Sequence, residues 1–437
     1  MQEEVLKKVK EKGVKYIHLQ FMDILGQVKS VMIPSDILEK ALSEGIVFDG
    51  SSIVGYATID ESDMRAIPDP VTFQILPDDT KSATMICDTY TTNGRRFEGD
   101  PRYILQRILE KAEKLGYRFC TGPEFEFFLL KMRDGKPVLE PNDYAGYFDY
   151  GPIDQGEMVR SEIIGLLSEL GYNPEAAHHE VSPGQHEIDL RYDYALKIAD
   201  RILTLKAMIK RVALRHGLYA TFMPKPFYGI NGTGMHVHQS LISTDGERNM
   251  FYDPDGKWEL SDVALRYIAG LLHHAEEMTA ILNSWVNSYK RLVPGYEAPV
   301  YISWANLNRS ALIRVPAGRG MKTRVELRNP DPAGNPYLQF AVMLAAGLDG
   351  IIKGLDPPDP VEQNIFSMSE EERKAMGIKS LPESLGEALH HFSRSELMRD
   401  VLGDHVFRHF LYVKRREWEE YRAQVTKWET EKLLPIL

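Results

Sequence analysis

Four short stretches of the chain alternate apolar residues with acids, histidines or arginines. In PEFEFFLL, Glu124 and Glu126 lie two apart, with Phe125 and Phe127 between and after them. A strand turns successive side chains to opposite faces, so both carboxylates share one face and both rings the other. GMHVHQSL treats His236 and His238 in the same way against Met235 and Val237. TRVELRNP sets Arg324, Glu326 and Arg328 against Val325 and Leu327, and HEIDLRY sets Glu187, Asp189 and Arg191 against Ile188 and Leu190. Glu180 joins them from HHEVSPGQ, a turn containing Pro183 and Gly184. One such stretch alone fits a half-buried strand with a wet polar face. Wet faces favour Lys, Thr and Gln, however, and these four carry mainly carboxylates, imidazoles and guanidiniums. A sheet lining a polar cavity explains that selection better. Carboxylates with an imidazole suit Mg²⁺ or Mn²⁺, and arginines suit phosphoryl oxygens and carboxylates. The implied chemistry is metal-assisted phosphoryl transfer.

Two other nucleotide-binding motifs fail on spacing. GRGMKT (318–323) lacks the adjacent Gly-Lys and the four-residue spacer of a phosphate loop. NGTGMHV has two glycines and no third at dinucleotide-fold spacing. Nucleotide binding here needs another platform.

The elements that must hold these strands are readable in outline. Residues 14–33 alternate around Gly26, which predicts a hairpin, and short strand-like runs follow at 72–75 and 83–87. The only helix expected among them is 35–44, so residues 1 to about 100 read as a small, mostly β domain. GRRFEGDPR (94–102) is a turn-rich boundary, and Asp100-Pro101 is a good helix start. Helices are expected from there to 115, then at 157–170, 194–216, 263–282, 336–352, 384–393 and 406 to about 426, with strands between. The region 101–437 is therefore α+β.

Composition bounds the function. The chain has 437 residues, enough for two or three domains. A formal net charge of −11 argues against a nucleic-acid or anionic-membrane surface. Cys87 and Cys120 form no CxxC pair, which excludes a disulfide framework and a thiolate zinc site. The longest apolar run, residues 340–348, is far below the roughly 18 residues that span a bilayer. MQEEVLKKVKEKG reads as a charged amphipathic helix rather than a signal peptide, so a cytoplasmic location is expected.

Across its length the chain resembles type I glutamine synthetases, in the shorter, non-adenylylated branch. The resemblance rests on FDGSSI (48–53), GPEFEFF (122–128), HHEVSPGQHEID (178–189), KPFYGINGTGMHVH (225–238), NSYKRLVPGYEAP (287–299), NRSALIR (308–314) and TRVELRNPDP (323–332), in that order. It implies a β-grasp-like domain at 1–100 and a catalytic α/β domain at 101–437 with a curved antiparallel sheet lining the active site. It also implies synthesis of L-glutamine from ATP, L-glutamate and ammonium through a γ-glutamyl phosphate, with two or more Mg²⁺ or Mn²⁺ ions. By motif, Glu126, Glu180 and Glu187 would hold one ion, and Glu124, His236 and Glu326 the other. Asn231, Gly232 and Arg291 would place glutamate, with Arg291, on a loop, at its α-carboxylate. Arg309 and Arg328 would clamp the transferring phosphoryl group, and Arg314 would meet ATP. Glu175, His238 and Ser240 would serve the nucleotide, with Tyr192 as an adenine platform. Asp49 would deprotonate ammonium with Ser52 beside it, and Glu297 would close over the intermediate.

The resemblance further implies two stacked hexameric rings, with Asp49 and Ser52 supplied by a neighbouring subunit and the apolar tail at 428–437 reaching the opposite ring. It admits a small regulatory protein as a further partner. Two positions depart from the family. Phe366 stands where one branch carries an adenylylated tyrosine, which makes that modification chemically impossible. Thr58 stands where the shorter branch often has an arginine used in glutamine feedback. Two other readings remain: a γ-glutamyl ligase for polyamines on the same scaffold, and a catalytically silent scaffold or sensor. An acidic ammonium pocket at Asp49 and Ser52 argues against the first, and the six intact ligand positions argue against the second.

Overall fold

The structure, a computed structural model, describes residues 1–56 and 63–437. Thr58 therefore lies outside the described residues. The N-terminal sheet comprises β1 (Tyr16–Met22), β2 (Val28–Pro34), β3 (Ile46–Asp49), β4 (Asp63–Pro68), β5 (Gln74–Leu76) and β6 (Asp79–Thr91). Their order is β2-β1-β6-β4-β3, with β5 added to β6. Gly26 turns the β1–β2 hairpin at φ +84°, a conformation that favours glycine. β1 and β6 run parallel, and the other pairs antiparallel. This is the β-grasp arrangement.

The second sheet is built around one long strand. Its members are β7 (Tyr117–Arg133), β8 (Lys136–Pro141), β9 (Pro174–His179), β10 (Gln185–Leu190), β11 (Asp193–Tyr194), β12 (Leu218–Thr221) and β13 (Val237–Ser243). After β14 (Tyr301–Ile302), which pairs outside it with β18 (Lys379–Ser380), come β15 (Trp304–Ala305), β16 (Ile313–Arg314) and β17 (Val325–Leu327). The order is β15-β16-β17-β13-β7-β10-β9, and β8, β11 and β12 also pair with β7. All pairs are antiparallel except β15–β16. Phe119, Phe125 and Phe127 of β7 are buried on the face that packs against helices Pro101–Lys114 and Ala195–Arg215. The opposite face carries Glu124 and Glu126 at its middle, flanked by Cys120, Phe128 and Leu130.

Helix Pro336–Lys353 fills the middle of the helical layer, and its apolar residues occupy nearly its whole circumference, as full burial requires. Close packing sets its small residues: a Cβ on Gly347 would lie 2.0 Å from Tyr267, and one on Gly270 would lie 2.1 Å from the Ala346 carbonyl. Asp100 caps helix Pro101–Lys114 through the Arg102 amide, as the Asp-Pro pair predicts. The expected helix at 263–282 is instead two, Asp262–His273 and Ala275–Leu282. His274 leaves helical geometry there, and its ring is held between Glu277 and Asp349. The last long helix starts earlier than expected, at Glu396, and Gly403 breaks it at φ +73°. Its second segment is the one the apolar spacing reveals.

The N-terminal sheet is tied to helices Pro101–Lys114 and Ala195–Arg215 by Arg102, whose buried guanidinium pairs with Asp69 at 2.8 Å, Asp88 at 2.6 Å and Asp200 at 2.9 Å. Removing one partner of a buried ionic network leaves the others desolvated and unpaired. Arg102→Ala is expected to cost about 3–5 kcal/mol, read as a lower denaturation midpoint. An unchanged midpoint would show that the three aspartates do not depend on it.

Candidate active site

Strand register brings the sequence-predicted acids together. β10 pairs with β7 so that Glu187 faces Glu126 and Asp189 faces Glu124. β13 pairs with β17 so that His238 faces Glu326. Like charges directly opposite one another destabilise a sheet, so this arrangement calls for cations between them. The strands line a cavity of about 820 Å³ that includes Glu124, Glu126, Glu180, Glu187 and His236 on one side. Asn231, Gly232, Arg291, Glu297, Arg309, Arg314 and Arg328 line the rest.

Two groups of ligand-type atoms form at its wall and beside it. Glu124 receives hydrogen bonds from His236 Nδ1 and His238 Nε2, each at 2.8 Å. Glu326, fully buried, binds Arg314 at 2.5 Å on one oxygen and Arg328 on the other. Glu124, His238 and Glu326 offer atoms within 4.8 Å of one another, and His236 Nδ1 stands 3.9 Å from Glu326. The second group is His178, Glu180 and Glu187, with His178 Nε2 3.1 Å from Glu187 Oε1. Glu126 lies beside it, its Oε2 accepting from Gln185 Nε2 at 2.7 Å and the Gly234 amide at 2.8 Å.

Charge separates the two groups. Burial would raise Glu124, but hydrogen bonds from His236 and His238 hold it well below the usual carboxylate range. Burial likewise opposes ionisation of Glu326, and the Arg328 guanidinium outweighs it. In the other group burial wins. Desolvation and the Glu180 charge push Glu126 up to about 8, and desolvation with Glu126 pushes Glu187 well above its ordinary value. Desolvation also raises Asp189 to about 6, with Glu124 adding to it. Asp189 Oδ1 and Arg328 Nε are buried without a hydrogen-bond partner. Clustered carboxylates that resist ionisation, oxygen and imidazole donors only, and a partnerless buried carboxylate oxygen all fit a hard divalent ion.

These shifts fix a pH dependence. In the window between the ordinary glutamate value and about 8, the folded metal-free protein binds protons that the unfolded chain releases, so its stability falls as pH rises. Glu124 and Glu326 are lowered, so their contribution changes only below that window. A divalent ion needs the deprotonated ligands and reverses the trend. Thermal unfolding in chelator should show a falling midpoint from pH 5 to 8, with Mn²⁺ stabilising more at the alkaline end. A Mn²⁺ effect independent of pH would contradict this.

Substrate-facing residues are held by backbone. Arg291 was expected on a loop, but Ser288–Arg291 is a short helix. Its buried guanidinium donates to the carbonyls of Arg328 at 3.1 Å, Asn329 at 2.7 Å and Pro330 at 3.2 Å. The leftover Ser288–Leu292 turn forms because the Leu292 amide reaches the Ser288 carbonyl. A Cβ on Gly234 would lie 2.6 Å from Arg291 Nη2, so this glycine lets the guanidinium approach Glu126. Glu297 adopts φ +55°, rare for a non-glycine residue, and its Oε2 accepts from Asn231 Nδ2 at 2.7 Å. It thereby bridges to the glycine-rich loop at 231–234.

Other predicted residues are not brought to the cavity wall. Asp49 and Ser52 sit at the exposed end of β3, where Ser51 and Ser52 donate to the Asp49 carboxylate and hold it below the usual range. Glu175 and Tyr192 are exposed, Tyr192 lies over Gly122, and Ser240 is buried in β13. Sequence reasoning missed His178, stacked edge-on by the paired rings of Tyr147 and Phe148. The signal was the tandem His178-His179 before Glu180. Sequence reasoning placed Asp189 on the polar face without a role and left Gln185 out of the site.

Residues 13–92 match the family described as glutamine synthetase, beta-Grasp domain, and residues 98–433 match glutamine synthetase, catalytic domain. The glutamine synthetase of Thermus thermophilus is 53% identical over 439 residues, covering 99% of this chain and 98% of that protein. That of Methanosarcina mazei is 51% identical, covering 100% of this chain and 98% of that one. A solved structure described as a GmaS/ADP complex superposes with a TM-score of 0.91 at 34% identity, covering 99% of each chain.

Proposed function

The chain belongs to the glutamine synthetase family, and from that premise we propose that it joins ammonia to L-glutamate with ATP through a γ-glutamyl phosphate. The observation that carries this reading is one cavity lined by Glu124, His236, His178, Glu180 and Glu187 and by Arg309, Arg314 and Arg328, with His238 and Glu326 beside it. Glu126, Glu180 and Glu187, with His178, would hold one Mg²⁺ or Mn²⁺, and Glu124, His236 and Glu326, with His238, the other. Bound there, such ions neutralise charge on phosphate and carboxylate oxygens.

The chain's own residues do the rest. Arg291, anchored on three carbonyls, offers a fixed guanidinium to the glutamate α-carboxylate. Asn231 and Gly232 border the same pocket. Arg309 and Arg328 receive the transferring phosphoryl group and Arg314 the ATP, while the resemblance alone gives Glu175, His238 and Ser240 to the nucleotide and Tyr192 to its adenine. Arg328 lines the cavity with its guanidinium held by Glu326. Glu297 excludes water from the acyl phosphate, which hydrolysis would otherwise waste. Asp49 binds ammonium and takes its proton, with Ser52 beside it.

Asp49 and Ser52 are exposed and do not line their own chain's cavity, which supports supply in trans from a neighbouring subunit. The reading includes a division near residue 100, two stacked hexameric rings and a cytoplasmic location. Among the described residues no helix is long and apolar enough to cross a membrane. ATP- and glutamate-dependent phosphate release should appear with ammonium and stay near background with polyamines. Release with polyamines alone would point to the γ-glutamyl-amine ligase reading, and none with either to a silent scaffold.

A further inference from the structure

Behind the turn that carries Glu180 lies a polar cluster that the chemistry above does not use. Asp143, His179 and His186 are all buried and offer ligand-type atoms within 4.8 Å of one another. Their residue types are those of a metal site, but their hydrogen bonds are not. Asp143 Oδ1 accepts from His179 Nε2 at 2.9 Å and the Gly184 amide at 3.1 Å. Its Oδ2 accepts from Asn142 Nδ2 at 2.9 Å and the Gln155 amide at 3.0 Å. Four donors fill the carboxylate. His186 Nδ1 lies 2.7 Å from Arg160 Nη1, and that guanidinium is itself paired with Asp154. A cation placed among these atoms would meet a buried guanidinium.

The cluster instead grips the turn from Glu180 to Gln185 at both ends. His179 Nδ1 donates to the Glu180 carbonyl at 2.7 Å, and Asp143 takes the Gly184 amide directly. Gly184 sits at φ +69° and so close to its surroundings that a Cβ would lie 2.8 Å from Pro141 and 3.0 Å from the Leu129 carbonyl. The Glu180 amide closes the turn on the Gln185 carbonyl at 2.8 Å. From the far end Gln185 Nε2 reaches Glu126 at 2.7 Å and the Gly232 carbonyl at 3.0 Å. The turn cannot shift without moving both Glu180 and Glu126.

We infer that the buried Asp143–His179 pair is a positioning device that aims the Glu180 and Glu126 carboxylates at their divalent ion, and that it is not a third ion site. The inference rests on the reading that Glu126, Glu180 and Glu187 hold an ion. Partners that orient metal ligands typically carry about 10–100-fold in metal affinity. The test is Mn²⁺ binding to the resting, nucleotide-free enzyme, followed by the paramagnetic resonance of free Mn²⁺, in wild type, Glu180→Ala, Asp143→Asn and His179→Gln. Glu180→Ala should lose one ion per chain. Asp143→Asn, whose amide turns a donor toward the Gln155 and Asn142 donors, should keep the full number of ions but bind one of them about 10–100-fold more weakly. His179→Gln leaves the Asp143–Gly184 contact in place and should weaken the same ion, which keeps the test available if Asp143→Asn does not fold. Wild-type Mn²⁺ affinity in both folded variants, with the ion lost in Glu180→Ala, would overturn the positioning role alone. Loss of a whole ion in Asp143→Asn, the others binding normally, would overturn it by making Asp143 a ligand. No change in Glu180→Ala would remove the ion-site reading and the inference with it.

Discussion

Glu326→Ala is expected to lower ATP-dependent phosphate release by 10²-fold or more, on the order of what is lost when a preorganised charge is removed from a phosphoryl- or acyl-transfer site. Glu326 is fully buried and holds Arg314 on one oxygen and Arg328 on the other. It also stands within 3.9 Å of His236. Its loss therefore strips a charge from one proposed ion and frees Arg328 and Arg314, the arginines proposed for the transferring phosphoryl group and for ATP. The cost to folding has the same origin: two guanidiniums lose their buried counter-charge, worth about 3–5 kcal/mol. Glu326→Gln shares the loss of counter-charge but keeps an acceptor oxygen and the side-chain volume, so it opens no cavity and is the milder of the two for folding. Its circular dichroism and assembly should match wild type while phosphate release falls nearly as far. Wild-type turnover in either folded variant would remove Glu326 from the reacting site.

How much of this was legible in the sequence follows from the length scale of each signal. Period-two alternation placed Glu124, Glu126, Glu187, His236, His238 and Glu326 on strand faces, and each is at or beside the cavity because a strand has only two faces. Helix Pro336–Lys353 was equally plain from its apolar run. Breaks inside helices were not, since His274 is pinned by Glu277 and Asp349, the latter 75 residues away in the chain. Gly403 hid the first segment of the last helix for a related reason, as its kink interrupts the apolar period. His178 and Gln185 escaped notice because their roles exist only across strands, through Glu187 and Glu126. The resemblance supplied what alternation could not: a proposed division of the acids between two ions, and a proposed role for Asp49, at the exposed end of β3.

Asp49→Asn should preserve formation of γ-glutamyl phosphate from ATP and glutamate while slowing its capture by ammonium. Ammonium near neutral pH carries no lone pair, so a proton must leave before nitrogen can attack. Ser51 and Ser52 hold the Asp49 carboxylate below the usual range, so it is ionised at any working pH and ready to bind the cation. A carboxylate so stabilised is a weak base in water. On the proposed reading it becomes an effective one where closure excludes solvent and the acyl phosphate in a neighbouring subunit's site draws the nitrogen forward. Asparagine keeps the shape and the acceptor oxygen but can neither pair with the cation nor hold its proton. Hydroxylamine is neutral at pH 7 and needs no deprotonation before attack, so γ-glutamyl hydroxamate should form at close to the wild-type rate in Asp49→Asn. Glutamine formation should fall by about 10²–10⁴-fold, the usual contribution of a positioned general base. Equal losses with the two nucleophiles would leave Asp49 a structural role at the end of β3 and assign the proton to another group.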